Sequence, residues 1–467
     1  MSGFAVLISL VGAAFALAGA IAFSAPILMS IVAVLLVTSQ FVLIEQTIAG
    51  VPVRLIVLAL AAVVLVGRML TMGKPIFRAV EEQAVGLAWL SYLLVILFVY
   101  LVNGTIRNAE DVVDFVGRYG VALIIFHVVL ETSRRLSGAA LVAGWLFVLA
   151  LLNIVFVVIQ FMGITWAFDV HDALFPSTAQ LESDLQSVDA ISSFGYLPGL
   201  SSFSIATGYV ISCFGVLGLA PAFKRGGALR GIQSVAIVLV LLSASVLILS
   251  RSSMAAVGMA ATLTLMLYGS GTLRSYKVVA GAALVGVMVV VALIVQSGLT
   301  SALPAAARLL ELRDPQRLSV IERVIAYVSE YPWVGGYQRA FDSGAIGLAA
   351  HNFVANGLLY FGVIGFAAMM LMLVVSAWGL ARAIERTPQG TARAVAVAAA
   401  IGLAAYMFKS LFHNESVVTS GIMYMTLMGL SLGAAYAGRR GNQGSGSVAG
   451  SEPPSRASGV GQGFAVH

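Results

Sequence analysis

The sequence predicts an all-α, polytopic membrane protein of about 12–13 transmembrane helices, with a long, partly helical loop on its outer side. Two observations carry that class. The chain is 60% hydrophobic and only 10% charged over 467 residues, whereas soluble domains are about 25% charged and about 45–50% apolar. The apolar residues also come in runs near the length of about 20 that spans a hydrocarbon layer as a helix. A helix suits that layer because it satisfies its own backbone hydrogen bonds, which lipid cannot do.

The candidate spans fall near 4–23, 26–44, 54–72, 84–102, 112–131, 139–163, 203–222, 231–250, 252–269, 277–297, 354–380, 394–412 and 417–437. The count drops by one if the first two runs form an irregular hairpin, or if 54–72 does not fully cross. Run 4–23 has no basic segment before it, and another run follows from Pro26. Both therefore read as retained helices and not as a cleaved signal. The single cysteine, Cys213, excludes an intrachain disulfide framework and a cysteine-rich metal site. The net charge of +6 reads as membrane orientation, not as a nucleic-acid footprint, because the basic residues sit in short loops and the tail.

Charge assigns the sides. Arg68, Lys74 and Arg78 share a side with Arg134 and Arg135, then with Lys224, Arg225 and Arg230. Arg274 and Lys277, then Arg382, Arg386 and Arg393, and finally Arg439 and Arg440 fall there too. Basic short loops mark the cytoplasmic face. The expected location is thus the cytoplasmic (inner) membrane, with the two long loops, about 164–202 and about 298–352, facing the periplasm or cell exterior. The first loop has five acids (Asp169, Asp172, Glu182, Asp184, Asp189) and no lysine or arginine; the second balances five arginines against five acids. Residues 1–440 read as one membrane domain. Residues 441–467, rich in Gly, Ser and Pro, read as a disordered cytoplasmic tail.

Asp314-Pro315 in the second loop predicts a helix start, with Asp as N-cap and Pro at the first helical position. Leu318, Ile321, Ile325 and Val328 then recur with near-helical spacing until Pro332 ends the pattern. The expected element is an amphipathic helix over the outer, membrane-facing surface.

Most polar residues within the spans have structural explanations. His127 reads as a histidine bonded to a neighbouring helix. Arg118 reads either as a snorkelling side chain or as a buried structural one. Arg54 and Arg68 read as end anchors. Three outward positions are harder to explain that way. Arg251 separates two apolar runs with almost no loop, as an interface anchor or as a cation aimed into an external cavity. Arg317 opens the amphipathic helix. His351 stands where the outer loop enters an apolar helix, followed by Asn352, nine residues, Gly362, two residues and Gly365. Gly357, Gly362 and Gly365 are expected to let helices approach closely. Two arginines and a histidine on one side suit a substrate with an anionic phosphate leaving group. Guanidinium binds phosphate bidentately, and imidazole can accept a proton from a hydroxyl near neutral pH.

On these residues the sequence resembles the O-antigen ligase and O-antigen polymerase family. The family's ligase motif is His-[Asn/Ser/Gln], nine residues, Gly, two residues, then Gly, Thr or Tyr; His351, Asn352, Gly362 and Gly365 fit it. Upstream, Arg317-Leu318 is followed by Pro332, Trp333, Val334, Gly335 and Gly336, which fits the family's Arg-Leu and Pro-x-x-Gly. Ser250-Arg251 matches its Ser-Arg pair, and Leu197 to Phe203 looks like its loop entering the next helix. The specific motifs lie between about 197 and 365. Two features depart from the pattern. Ile321 stands where a tryptophan is usual, and a second pair, His413-Asn414 near Lys409, lacks the glycines and reads as a loop feature.

The resemblance implies a metal-independent, inverting glycosyltransferase with no cofactor, acting outside the membrane. Its donor would be a glycan on undecaprenyl diphosphate. Arg251 and Arg317 would bind the diphosphate, His351 would deprotonate the acceptor hydroxyl, and Asn352 would orient the histidine beside the substrate. The acceptor would be lipid A–core for a ligase, or another lipid-linked repeat unit of O-antigen, capsule or exopolysaccharide for a polymerase. A flippase or transporter is the reading from another class. It expects inverted repeats and midplane charges, and no internal repeat is evident.

Overall fold

The structure, a computed structural model, describes residues 26–41, 47–48, 51–72, 77–175, 197, 199–201, 204–223, 228–248, 250–268, 315–336, 352–411, 418 and 421–446. The expected spans 4–23 and 277–297, the expected cap Asp314, the pair His413-Asn414 and the tail from residue 447 lie outside the described residues.

Each expected span that falls within the described residues is helical. α1 is Pro26–Phe41, and α2 is Val53–Met72. Between them Thr47–Ile48 and Val51–Pro52 form a short antiparallel ladder. α3 is Val80–Val102. α4 (Ala109–Phe115) passes through a π-helical turn, Val116–Gly120, into α5, Val121–Ser133. α6 is Leu136–Phe161 and α7 is Thr165–Leu174. α8, Ser204–Tyr209, continues as a π turn (Val210–Phe214) and then a 3-10 helix (Gly215–Phe223) that contains Pro221. Pro221 has no N–H to offer an α-helical ladder. α9 is Ala228–Leu247, α10 Arg251–Tyr268 and α11 Pro315–Glu330. α12 is Phe353–Glu385, α13 Thr391–Ser410 and α14 Ile422–Gly446. α14 thus runs past the boundary expected at residue 440.

Among the described residues, five helical segments are long and apolar enough to cross a membrane: Val80–Val102, Leu136–Phe161, Ala206–Phe223, Phe353–Glu385 and Thr391–Ser410. The molecule is a helical membrane protein on this ground. Large apolar side chains such as Leu94, Phe98, Val155, Leu371 and Val374 stand exposed along these helices. That surface suits a lipid solvent and would be unstable in water. Inside, one continuous apolar core includes Trp89, Tyr92, Phe126, Phe214, Tyr406 and Tyr424.

Ion pairs join four helix ends. Arg134, after α5, lies against Glu82 of α3 and Glu131 of α5. Arg78 reaches Glu131 at 3.0 Å. Glu81 accepts from Arg386, after α12, at 2.9 Å and from Arg439 of α14 at 3.4 Å. Glu82 also caps α3 by accepting the Arg78 N–H at 2.8 Å. Burial by itself would lower the Arg134 pKa; the hydrogen bond and charge of Glu82, together with Glu131, outweigh it and hold it above its ordinary value. Arg78, Arg134, Arg386 and Arg439, all expected on one side, therefore do share one end of the bundle. They also have a structural task that composition did not show. Alternation along the chain puts the end of α3, the end of α6, the start of α12 and the end of α13 at the opposite end, called here the loop end.

His127 differs from expectation. Its Nδ1 is buried with no hydrogen-bond partner among the described residues. The ring instead packs against Phe77 and Phe126 at centroid distances of 5.2 and 5.3 Å. Arg118 sits in the π turn, and its side chain is outside the described residues.

The Arg134 side chain is 4% exposed and that of Glu82 is 1% exposed. Removing one partner of such a pair strands the other charge. Arg134→Met is expected to destabilise the protein by about 3–5 kcal/mol. Thermal unfolding of the purified protein in detergent measures it, and a melting temperature equal to wild type would refute the clamp.

Candidate functional site

The loop end is organised around an interruption in α12. Gly362 has φ 60° and ψ −167°, a backbone region essentially closed to side chains with a Cβ. The interruption divides α12 into residues 353–361 and 363–385. In a straight helix residues 357 and 369 would be about 18 Å apart. Here the side chains of Met369 and Phe366 come within 2.9 and 3.0 Å of where a Cβ on Gly357 would lie. The two arms therefore turn sharply against each other. The span expected as one run over 354–380 is broken at the first glycine of the motif.

The segment after α11 fills the gap. The freed N–H of Val363 donates to the Pro332 carbonyl at 2.7 Å, and that of Ile364 to Trp333 at 3.2 Å. In return Gly336 N–H donates to the Leu359 carbonyl at 2.8 Å. A Cβ on Gly362 would lie 2.5 Å from the carbonyl carbon and oxygen of Trp333. Gly362 thus serves a loop insertion, not the helix–helix approach expected of it. Gly365 faces Phe361 from across the break. Asn103, at the end of α3, donates to the Val334 carbonyl at 3.0 Å and the Tyr360 carbonyl at 3.4 Å. Phe361 packs its ring beside Tyr92 and Tyr100 of α3.

α11 starts at Pro315 and ends before Pro332, as expected. Of the expected stripe, Val328 packs inward and Ile325 does not, while the side chains of Leu318 and Ile321 lie outside the described residues. Val324 and Tyr327 pack with Ala355 and Leu359 of α12, with Val328 and Tyr331 beside them. Ile325, assigned to the apolar stripe from sequence, is 60% exposed. Tyr327 is buried and Tyr331 partly so, their rings 5.1 Å apart, and Tyr327 satisfies its hydroxyl by donating to the Gly336 carbonyl at 3.0 Å.

The described residues just before α8 are fastened by polar side chains of α6. Gln160 Oε1 accepts from Gly199 N–H at 2.9 Å, and its Nε2 donates to the Gly199 carbonyl at 3.4 Å. Asn153 Oδ1 accepts from Leu200 N–H at 3.0 Å and from the Ser201 and Thr207 hydroxyls. Buried His171, on α7, bridges Asp172 and the Ser201 carbonyl. The stretch from Leu197 that resembles the family loop is therefore seated on the end of α6.

A third grouping lies at the start of α10. Ser250 Oγ accepts the Ser253 N–H at 3.3 Å and lies 2.7 Å from Ser253 Oγ. Lys409, in the last turn of α13, is fully buried and donates to Ser253 Oγ at 2.6 Å.

Arg251 is the first residue of α10, and Arg317 lies in the first turn of α11; both side chains are outside the described residues, as is His351. Asn352 caps α12, its Oδ1 accepting from Val354 N–H at 2.8 Å and Ala355 N–H at 3.2 Å. That cap is a role sequence reading did not give it. Gly362 makes the break at which the Pro332–Gly336 segment, following the Arg317 helix, is hydrogen-bonded to the helix that follows His351; Gly365 lies against Phe361 and Val99. Sequence reading missed Asn103, Asn153, Gln160, His171 and Ser253. One signal was available: Asn153 and Gln160 stand seven residues apart, on one face of an otherwise apolar run. Among the described residues, no group of three or more His, Cys, Asp or Glu is placed to hold a metal ion.

The molecule is thus a helical membrane protein with an interrupted helix and a docked segment at one end. Comparison with protein-family models found no match, and comparison with curated proteins found none either.

Gly362→Ala is expected to cost about 1–3 kcal/mol from backbone strain alone, and more from the contact with Trp333. Gly144→Ala, with nothing within 4 Å of the new Cβ, should be neutral or slightly stabilising. Paired melting curves decide the matter, and equal behaviour of the two variants would rule out the inserted loop. Removing the cap by Asn352→Ala should cost about 1 kcal/mol in the same measurement.

Proposed function

We propose that the protein is an O-antigen ligase-like glycosyltransferase of the inner membrane, with its loop end facing the periplasm. It transfers a glycan from undecaprenyl diphosphate to an acceptor sugar of lipid A–core. The observation that carries this reading is the interlock at Gly362. The two motif segments on which the family resemblance rests, one beginning at Arg317 and one at His351, are hydrogen-bonded to each other through Pro332, Trp333 and Gly336. A reaction that needs groups from both segments needs them fixed relative to one another.

In this mechanism His351 takes the proton from the acceptor hydroxyl. The oxygen attacks the anomeric carbon as the bond from that carbon to the diphosphate oxygen breaks, and configuration inverts. Arg251 and Arg317 receive the developing charge on the leaving lipid diphosphate. Asn352 sets the start of the helix beside His351. The chain's own side chains supply the acid–base and electrostatic parts, and no metal or cofactor is assigned a step.

The test is transfer by the full chain in nanodiscs supplied with undecaprenyl-diphosphate glycan and two acceptors, lipid A–core and a lipid-linked repeat unit. Wild type should extend lipid A–core. His351→Ala should lower kcat by about 10²–10⁴ and Arg317→Ala by about 10²–10³, with both variants melting near wild type. Extension of the lipid-linked repeat alone would make the protein a polymerase. No transfer, with lipid-linked glycan crossing the bilayer, would make it a flippase.

A further inference from the structure

We propose that Lys409 is a positioning residue for Arg251, acting through Ser253 and Ser250; this rests on the reading of Arg251 as a donor-binding cation. Lys409 is 0% exposed, although it ends the last turn of α13. Its Nζ lies 2.6 Å from Ser253 Oγ of α10 and 4.2 Å from the centre of the Tyr209 ring of α8. One side chain thus joins three elements. The space it occupies depends on Gly208, where a Cβ would collide with Lys409 Nζ and lie 2.5 Å from Ser253 Oγ.

A lysine Nζ donates, so Ser253 Oγ accepts from it, and the Ser253 and Ser250 hydroxyls, 2.7 Å apart, share a hydrogen bond that either can donate. Ser250 Oγ accepts in addition the Ser253 N–H, which caps α10. Arg251 is the residue between Ser250 and Ser252, so the chain of hydrogen bonds closes around its backbone. Ser253 itself is 0% exposed and has no path to an external substrate. Its hydroxyl links the buried Nζ to the capped first turn. A methionine at 409 would fill similar volume without the desolvation that a buried Nζ incurs. Packing alone therefore does not explain the lysine. Holding the helix start at a fixed angle does, because a cation that binds diphosphate bidentately tolerates little misalignment.

Three variants in the nanodisc assay test this. Lys409→Met and Ser253→Ala should keep the wild-type melting temperature to within a few degrees. Each should raise the donor KM about tenfold, with a smaller change in kcat. Ser253→Thr, which keeps the hydroxyl, should stay near wild type. Lys409→Met combined with Arg251→Ala should be no worse than Arg251→Ala alone, since one variant acts through the residue the other removes. An unchanged KM in Ser253→Ala, or additive losses in the double variant, overturns the proposal. A readout independent of transfer uses Cys213→Ala with Arg251→Cys, labelled by a membrane-impermeant maleimide. Adding Lys409→Met should change the labelling rate several-fold, and an unchanged rate overturns the positioning role. Wild type that transfers nothing, with a labelling rate that does respond, would instead remove the proposed reaction and leave the helix-start lock standing.

Discussion

Two backbone N–H groups, of Val363 and Ile364, are released where α12 breaks at Gly362, and the carbonyls of Pro332 and Trp333 take them up. In a membrane protein such groups find no water to bond with, and each left unmatched costs several kcal/mol. The break and the inserted segment therefore require one another. α11 is fixed because the segment that follows it is spent on this repair. Residues 353–361 are fixed because the break sends them against Phe366 and Met369 instead of onward through the bundle. Asn103 of α3 completes the arrangement by holding both partners through their carbonyls.

At the opposite end, the bundle buries charge. Glu81 and Glu82 stand almost wholly out of water, and four arginines from distant parts of the chain converge on them and on Glu131. Desolvating a carboxylate is costly unless its oxygens are fully engaged. The engagement here comes from helices that are not neighbours in sequence. Two unlike devices thus hold the two ends, charge pairing at one and backbone pairing at the other, with an apolar core between.

The parts legible in the sequence are those that depend on local pattern. Runs of apolar residues locate the helices, and Pro315 and Pro332 bracket α11 because proline acts on its immediate neighbours. The parts that were not legible depend on distance along the chain. Arg134 and Glu82 are 52 residues apart, and Arg386 and Glu81 are 305 apart. Asn103 and Val334 are 231 apart, and nothing in either segment names the other. A glycine inside an apolar run reads as a packing site, so the backbone angle at Gly362 was invisible. On α11 the stripe was right at Val328 but wrong at Ile325, and it left out Tyr327 and Tyr331, because tyrosine counts as polar in a periodicity and as apolar in a core. For the candidate site, the motif spacing was legible and its physical cause was not.

That spacing now has a geometric meaning. The run from Asn352 to Gly362 is a helical arm with both ends fixed, one by a side-chain cap and the other by a backbone break clamped to a second segment. A helix advances about 100° and about 1.5 Å per residue. Inserting or deleting one residue in this arm would swing its capped end through more than a quarter turn around the axis while the clamp stayed in place. Length changes before residue 351 would leave that phase untouched. The nine-residue interval therefore encodes an angle: it sets the bearing on which whatever precedes Asn352 is presented.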